Sequence, residues 1–272
     1  MNDLEIARHA ALRGAAVLLK YWETLGKDDA DLKARNDWVS AADRESEQAI
    51  VAAIREHRPD DAFLGEESGK IAGASANRVW IIDPLDGTSN YLQHFPIWCI
   101  SIALRENGET TTALIYEPLR EIFFTATRGG GAFRNDAPMH VSTHARVEGS
   151  FLATGFPFRA QEYVEYYVAI FTDVIRVSKG VRRAGSAALD LAYTAAGVFD
   201  GFFEMHLSPW DVAAGALMVT EAGGVVSDFS GGQRWFDRGN IVGASPKVHA
   251  ELVAVIGKHV SEDELEHRKG SP

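Results

Sequence analysis

A chain of 272 residues, 46% apolar and only 24% charged, carries enough apolar material for a substantial core and excludes a disordered polypeptide. Its formal charge of −11, from 38 acidic against 27 basic side chains, argues against nucleic acid or an anionic membrane as a partner, because the field repels phosphate. A single cysteine, Cys99, excludes an internal disulfide framework.

No apolar run approaches the ~20 residues that span a bilayer. The first residues, with Asn2, Asp3 and Glu5, do not read as a secretory leader, so a soluble cytoplasmic protein is expected. Leu4, Ala7, Ala11, Ala15, Leu18, Leu19 and Trp22 recur at helical spacing and predict a long amphipathic helix over 4–25. A second helix is expected to start near Asp43, with Glu45 and Glu47 in its first turns and Ile50, Ala53 and Ile54 facing inward. The rhythm then changes. Val79–Ile82, Trp98–Leu104, Thr112–Tyr116 and Ile122–Thr125 are rich in β-branched and aromatic residues and read as strands, with Asn107-Gly108 turning between two of them. Gly129-Gly130-Gly131 reads as a turn, since it lacks the Gly-Lys-Ser/Thr ending of a nucleotide loop.

In the second half, Phe151–Thr154 predicts a strand and Ala160–Val177 a helix. Ala187–Ala196 is expected as a helix, Gly201–Glu204 as a strand, and Val212–Glu221 as a helix ended by Gly223-Gly224. Val225–Ser227 and Ile241–Ala244 read as short strands and Lys247–Val260 as a closing helix. Tyr163, Tyr166, Tyr167 and Phe171 have helical spacing and are expected to pack on a sheet or a subunit partner. An α/β class (mixed α+β), with mixed sheets layered by helices, follows from this pattern, which leaves the topology open. No linker divides the chain, so 1–260 reads as one domain with halves 1–145 and 146–260, followed by a charged tail, 261–272.

The chemistry concentrates in Asp83-Pro84-Leu85-Asp86-Gly87-Thr88, directly after the apolar Trp80-Ile81-Ile82. Pro84 denies a backbone donor and Gly87 permits a sharp turn, which sets Asp83 and Asp86 close together at a strand end. Two such carboxylates repel unless a cation or a shared proton intervenes. Hard oxygen ligands suit Mg²⁺ or Mn²⁺, and no His/Cys pair has zinc spacing. A solvated turn with capping aspartates would account for the same residues. Three further acids add to the pattern: Glu66 in Gly65-Glu66-Glu67-Ser68 after a short apolar stretch, Asp43 after Trp38-Val39-Ser40 at a helix start, and Asp211 in Trp210-Asp211-Val212-Ala213-Ala214-Gly215 in the first turn of an apolar helix. Helix capping would explain Asp43 and Asp211 individually, and an exposed turn would explain Glu66.

Asp83-Pro84-Leu85-Asp86-Gly87-Thr88 and Trp210-Asp211-Val212-Ala213-Ala214-Gly215 together resemble the two signature motifs of the inositol monophosphatase family, and Gly65-Glu66-Glu67-Ser68 matches a third element. The run from Arg183 to Tyr193 is similar to the bacterial inositol-1-monophosphatase branch. The resemblance implies a layered αβαβα sandwich, usually a homodimer, with two or three Mg²⁺ ions (Mn²⁺ a possible substitute) and inhibition by lithium. It implies that Glu66, Asp83 and the Leu85 carbonyl hold a first ion, that Asp83, Asp86 and Asp211 hold a second, and that Asp43 and Glu66 contribute to a third. Thr88 with Glu66, and Asp43 beside them, would activate water, and the amides of Gly87 and Thr88 would receive phosphate oxygens. Gly185, Ser186, Ala187 and Glu204, with Asp86 and Asp211, would contact the alcohol. Lys33, in a polar loop before Asp43, matches a lysine near the phosphate.

The expected activity is hydrolysis of a small phosphate monoester, myo-inositol monophosphate first, by metal-activated water without a phosphoenzyme. Fructose 1,6-bisphosphate, histidinol phosphate and 3′-phosphoadenosine 5′-phosphate are alternative substrates, and a non-catalytic regulatory binding protein on the same fold is the alternative from another class. Cys99, amid Ile97, Trp98 and Ile100, reads as a packing residue, Arg182-Arg183 as a solvated edge, and His94 as structural or surface.

Overall fold

A computed structural model describes residues 1–24, 32–158 and 161–259, and for 23, 24, 32–40, 76 and 161 the backbone alone. The expected tail, Val260, Arg159-Ala160 and the side chain of Lys33 lie outside the described residues. Helices α1 (Asp3–Thr24) and α2 (Leu32–Arg55) come first, then β1 (Asp61–Gly65), β2 (Gly69–Ile71), β3 (Ser75–Asp86), the short α3 (Thr88–Leu92), β4 (Cys99–Glu106), β5 (Glu109–Glu117), β6 (Ile122–Thr127), β7 (Gly131–Arg134) and β8 (Ala137–Pro138). The second half contains β9 (Phe151–Thr154), α4 (Val164–Val177), β10 (Gly180–Arg182), α5 (Ala187–Ala195), β11 (Gly201–Glu204), α6 (Pro209–Glu221), β12 (Val225–Ser227), α7 (Trp235–Arg238), β13 (Ile241–Ala244) and α8 (Pro246–Ile256). Among the described residues, no helix is long and apolar enough to cross a membrane.

Several boundaries differ from expectation: the closing helix ends at Ile256, short of the expected Val260, α6 starts at Pro209 and not at Val212, and two helix starts differ further. Helix α2 begins at Leu32, not near Asp43, so Asp43 lies inside the helix and is no cap. The polar stretch before Asp43 carries little helical periodicity of its own. Packing of Ala42, Ile50 and Ile54 into the core shared with α1 supplies what propensity does not. The helix expected from Ala160 begins at Val164, after a tighter turn over Gln161–Tyr163.

An eight-stranded sheet runs β2-β1-β3-β4-β5-β6-β7-β8, antiparallel except where β1 pairs β3. A five-stranded sheet runs β10-β9-β11-β13-β12, with β9 parallel to both neighbours. Side chains alternate across β3: Trp80 and Ile82 face the core made with α1 and α2, while Ile81 faces α5 and α6. The other face of α5 and α6 meets Ala153, Phe202 and Ile241 of the second sheet. That sheet buries Leu152, Phe203 and Val242 against Tyr167, Ile170 and Val174 of α4 and Val248 and Leu252 of α8. Five layers result, αβαβα, and the aromatic row of α4 packs on the second sheet.

Candidate metal centre and its cavity

The β3–β4 register creates the site. Asp83 pairs with Ser101 and Asp86 with Cys99, so three steps along β3 face two along β4. In a regular strand, residues three apart point to opposite faces. The extra residue at Pro84-Leu85 is a bulge that reverses this parity and turns both carboxylates to one side. Pro84, with no N–H, loses nothing there. Asp83 Oδ1 accepts the Leu85 N–H at 2.9 Å, which tightens the bend. Gly87 follows at φ 99°, where a side chain is strained, and a Cβ would stand 2.9 Å from the Ile97 carbonyl oxygen. The chain then enters α3 with the Thr88 hydroxyl donating to the Leu85 carbonyl at 3.1 Å.

Asp211 comes from the opposite wall. It sits in the first turn of α6 behind Pro209 and accepts the Ser208 N–H at 2.6 Å, so the capping role expected as an alternative is real. The Ser101 hydroxyl, opposite Asp83, donates to the Trp210 carbonyl at 3.2 Å and fastens α6 to the first sheet. Capping and clustering coexist: oxygens of Asp83, Asp86 and Asp211 lie within 4.8 Å of one another. Glu66 follows the end of β1, where Gly65 pairs with Ile82 and the Glu66 N–H bonds the Ile82 carbonyl at 3.1 Å. That register brings Glu66 beside Asp83.

A cavity of about 240 Å³ opens over these groups. Glu66, Asp83, Leu85, Asp86, Gly87, Thr88, Gly185, Ser186, Ala187, Glu204 and Asp211, all expected at the site, line it. Asp43 is the exception: it is 4% exposed, does not line the cavity, and lies behind Glu66 on α2. The cavity also contains residues that the sequence did not single out, notably Gly155, Phe156, Phe158, His206 and Ser208. Gly155 is needed because a Cβ there would stand 1.9 Å from Glu204 Oε1. Gly155 follows a strand end, as Glu66 does, and that placement was the available signal. Asn90 was also missed. Its amide donates to the carbonyls of Ile97 at 2.7 Å and Ala184 at 2.8 Å, joining α3 to the cavity wall that contains Gly185 and Ser186. Arg182, on the edge strand β10, and Arg183 are both exposed as expected, and Arg183 also lines the cavity with its guanidinium 4.9 Å over the Phe158 ring. His94 is structural, its ring 4.7 Å from that of Trp22.

The electrostatics are those of crowded, buried carboxylates. Burial, then repulsion from Glu66, Asp86, Asp211 and Asp43, pushes Asp83 well above the usual carboxylate range. Burial raises Asp86 against the stabilising Ser186 hydroxyl (2.6 Å) and Ala188 amide (2.8 Å). Burial and then Glu66 raise Asp43 to about 9. Among the described residues its Oδ1 has no hydrogen-bond partner, a cost that folded proteins rarely leave uncompensated. Glu204 is pushed well above its ordinary value by burial, then by Asp190, Asp211 and Asp86, with Arg183 opposing. Cys99 is fully buried and its thiol raised by burial and Asp86, which keeps it a neutral packing group. An all-oxygen donor set with an orphaned buried carboxylate oxygen fits hard divalent cations.

A sequence profile of the inositol monophosphatase family matches residues 2–261. Over 259 residues the chain is 44% identical to the Escherichia coli (strain K12) protein named Nus factor SuhB, covering 95% of this chain and 97% of the relative. The structure of inositol monophosphatase from Anabaena (Nostoc) sp. is similar at a TM-score of 0.85 and 37% identity, covering 96% of this chain and 97% of the other. Extragenic suppressor protein suhB from Bartonella henselae is similar at a TM-score of 0.84 and 38% identity, covering 93% and 98%. Fold, carboxylate cluster and sequence agree: the chain belongs to the inositol monophosphatase family.

Proposed function

We propose that the chain is a cytoplasmic, homodimeric, magnesium-dependent phosphatase that hydrolyses a small polyol phosphate monoester, myo-inositol monophosphate first. The convergence of Asp83, Asp86 and Asp211 under a cavity of about 240 Å³ carries this reading. Glu66, Asp83 and the Leu85 carbonyl, then Asp83, Asp86 and Asp211, would hold two Mg²⁺ ions, with Asp43 and Glu66 contributing to a third. When bound, such ions neutralise the phosphate dianion, lower the pKa of water and stabilise the leaving oxygen.

The remaining work falls to the chain. The amides of Gly87 and Thr88, held by the bend after Asp86, receive phosphate oxygens. The five-residue α3 adds little dipole, so these N–H groups act as local donors. Thr88 and Glu66 orient the attacking water, and Asp43, behind Glu66, acts on it from the second rank. Gly185, Ser186, Ala187 and Glu204 receive the alcohol's hydroxyls. Ser186 is already held on Asp86 and is set for that contact.

The test is phosphate release from inositol 1-phosphate, fructose 1,6-bisphosphate, histidinol phosphate and 3′-phosphoadenosine 5′-phosphate at saturating Mg²⁺. Inositol phosphate is expected to lead the panel, with inhibition by millimolar Li⁺ and a dimer by light scattering. Preference for another member would move the substrate and keep the chemistry. A second, regulatory role is favoured by the 44% identity to relatives named Nus factor. Such a role is expected to survive in Asp83→Asn, which separates it from turnover.

A further inference from the structure

We infer that Glu47 is a positioning residue that aims Glu66 into the metal centre. The inference rests on the reading of Glu66 as a ligand. Glu47 lies one turn after Asp43 on α2, on the same inward face, and is only 3% exposed. Both its oxygens are used. Oε2 accepts the Glu67 N–H at 3.0 Å and Oε1 accepts the Ser68 N–H at 2.9 Å, the two amides directly after Glu66. Before Glu66 the chain is fixed by the Glu66 N–H on the Ile82 carbonyl. The backbone that carries this ligand is therefore clamped on both sides.

The clamp has a reserved seat. A Cβ on Gly65 would stand 2.3 Å from Glu47 Oε2, so the glycine clears the volume that the carboxylate occupies. Closing the β1–β2 hairpin does not require Glu47, because Gly65 already pairs with Gly69 across the turn. The bidentate contact fixes what strand pairing leaves free, the orientation of the 66–68 turn. It also adds a negative charge to a crowd of carboxylates, repelling Asp43 and Glu67. Helix α2 thus presents one carboxylate beside Glu66 and another to the backbone that holds it. Groups that orient metal ligands typically change metal affinity or activity by roughly 10–100-fold when removed.

The test is calorimetric Mn²⁺ titration of substrate-free native protein, Glu47→Gln and Glu66→Ala, with amide exchange and thermal melting. In Glu47→Gln, one amide faces an NH₂ donor in place of an acceptor. The variant is expected to fold, to lose exchange protection at Glu67 and Ser68, and to bind Mn²⁺ about tenfold more weakly. Its half-activating Mg²⁺ concentration should rise by the same factor, with maximal rate recovered at saturation. A purely structural staple would lower the melting temperature and leave the Mn²⁺ isotherm alone. Native-like Mn²⁺ binding by Glu47→Gln beside weakened binding by Glu66→Ala would overturn the inference and spare the metal-centre reading. Native-like binding by both would overturn the two together. If Glu47→Gln does not fold, Gly65→Ala, which keeps the charge but displaces the carboxylate, is read in the same way.

Discussion

Asp43 shows how a single buried carboxyl couples this site to stability. In the unfolded chain it ionises near its ordinary 3.8, and in the folded, metal-free protein near 9, because burial and then Glu66 oppose its charge. The folded state therefore holds an extra proton across that window. Stability from this group is fully present below pH ~3.8 and is lost as pH rises towards about 9. In EDTA the melting temperature is expected to fall between about pH 6 and pH 8.5, and Mg²⁺ should raise it more at the upper pH, with proton release. An EDTA melting temperature that climbs over this range would contradict the coupling. Gly155 gives a second residue-scale expectation. Gly155→Ala forces a Cβ to 1.9 Å from Glu204 Oε1, so Glu204 must move. Because Glu204 is assigned to the alcohol, KM for the polyol phosphate should rise with a smaller change in kcat, as steady-state kinetics would show. The cavity acids Glu66, Asp83, Asp86 and Asp211 were legible in the sequence because each sits at a strand or helix end beside apolar residues, whereas Asp43 lies within α2. Glu47 and Asn90 were not legible, because their partners lie in distant segments, and Gly155 offered only its place after a strand end.

At the scale of elements, the bend after β3 determines the geometry. Strand existence was readable from β-branched and aromatic runs, and β3 to β6 lie where those runs predicted. The bulge that brings Asp83 and Asp86 to one side was not readable, since register is a property of β3 with β4 and not of either strand alone. The start of α2 was missed for a related reason: the packing that supports the helix is carried by Ala42, Ile50 and Ile54, and the polar stretch before them has little local pattern. Gly87→Ala tests the bend. Its φ of 99° and the 2.9 Å approach to the Ile97 carbonyl make any side chain costly, by roughly 1–3 kcal/mol. A lower melting temperature with a larger loss of turnover is expected, since Thr88 starts the next helix. Unchanged kinetics at full stability would show that the bend does not position the site.

The whole molecule explains why the site exists only in the finished fold. Asp83 and Asp86 come from the first sheet, Glu204 from the second, and Asp211 from α6 in the layer between them. That middle layer is built from small residues. A Cβ on Gly215 would stand 2.4 Å from the Leu191 Cβ, and Ala188, Ala192, Ala213 and Ala214 are fully buried around the same contact. Two helices can lie this close between sheets only because so few side chains separate them. Leu191→Ala would leave a cavity there, at about 2–5 kcal/mol by denaturant melting, while turnover of the folded fraction stays near native. The layered class was legible from the alternation of helical and strand rhythms. The order of strands was not, because it depends on pairings between residues far apart in the chain.

The most direct test follows phosphate release from inositol 1-phosphate through a Mg²⁺ titration, with an EDTA control, for native protein, Asp83→Asn and Asp211→Asn. Release is expected to rise with Mg²⁺, to stop in EDTA, and to fall by at least about a hundredfold in each folded variant, because each removes a charge from the centre. Undiminished release in EDTA, or native turnover by either variant at saturating Mg²⁺, would contradict a phosphatase built on these carboxylates.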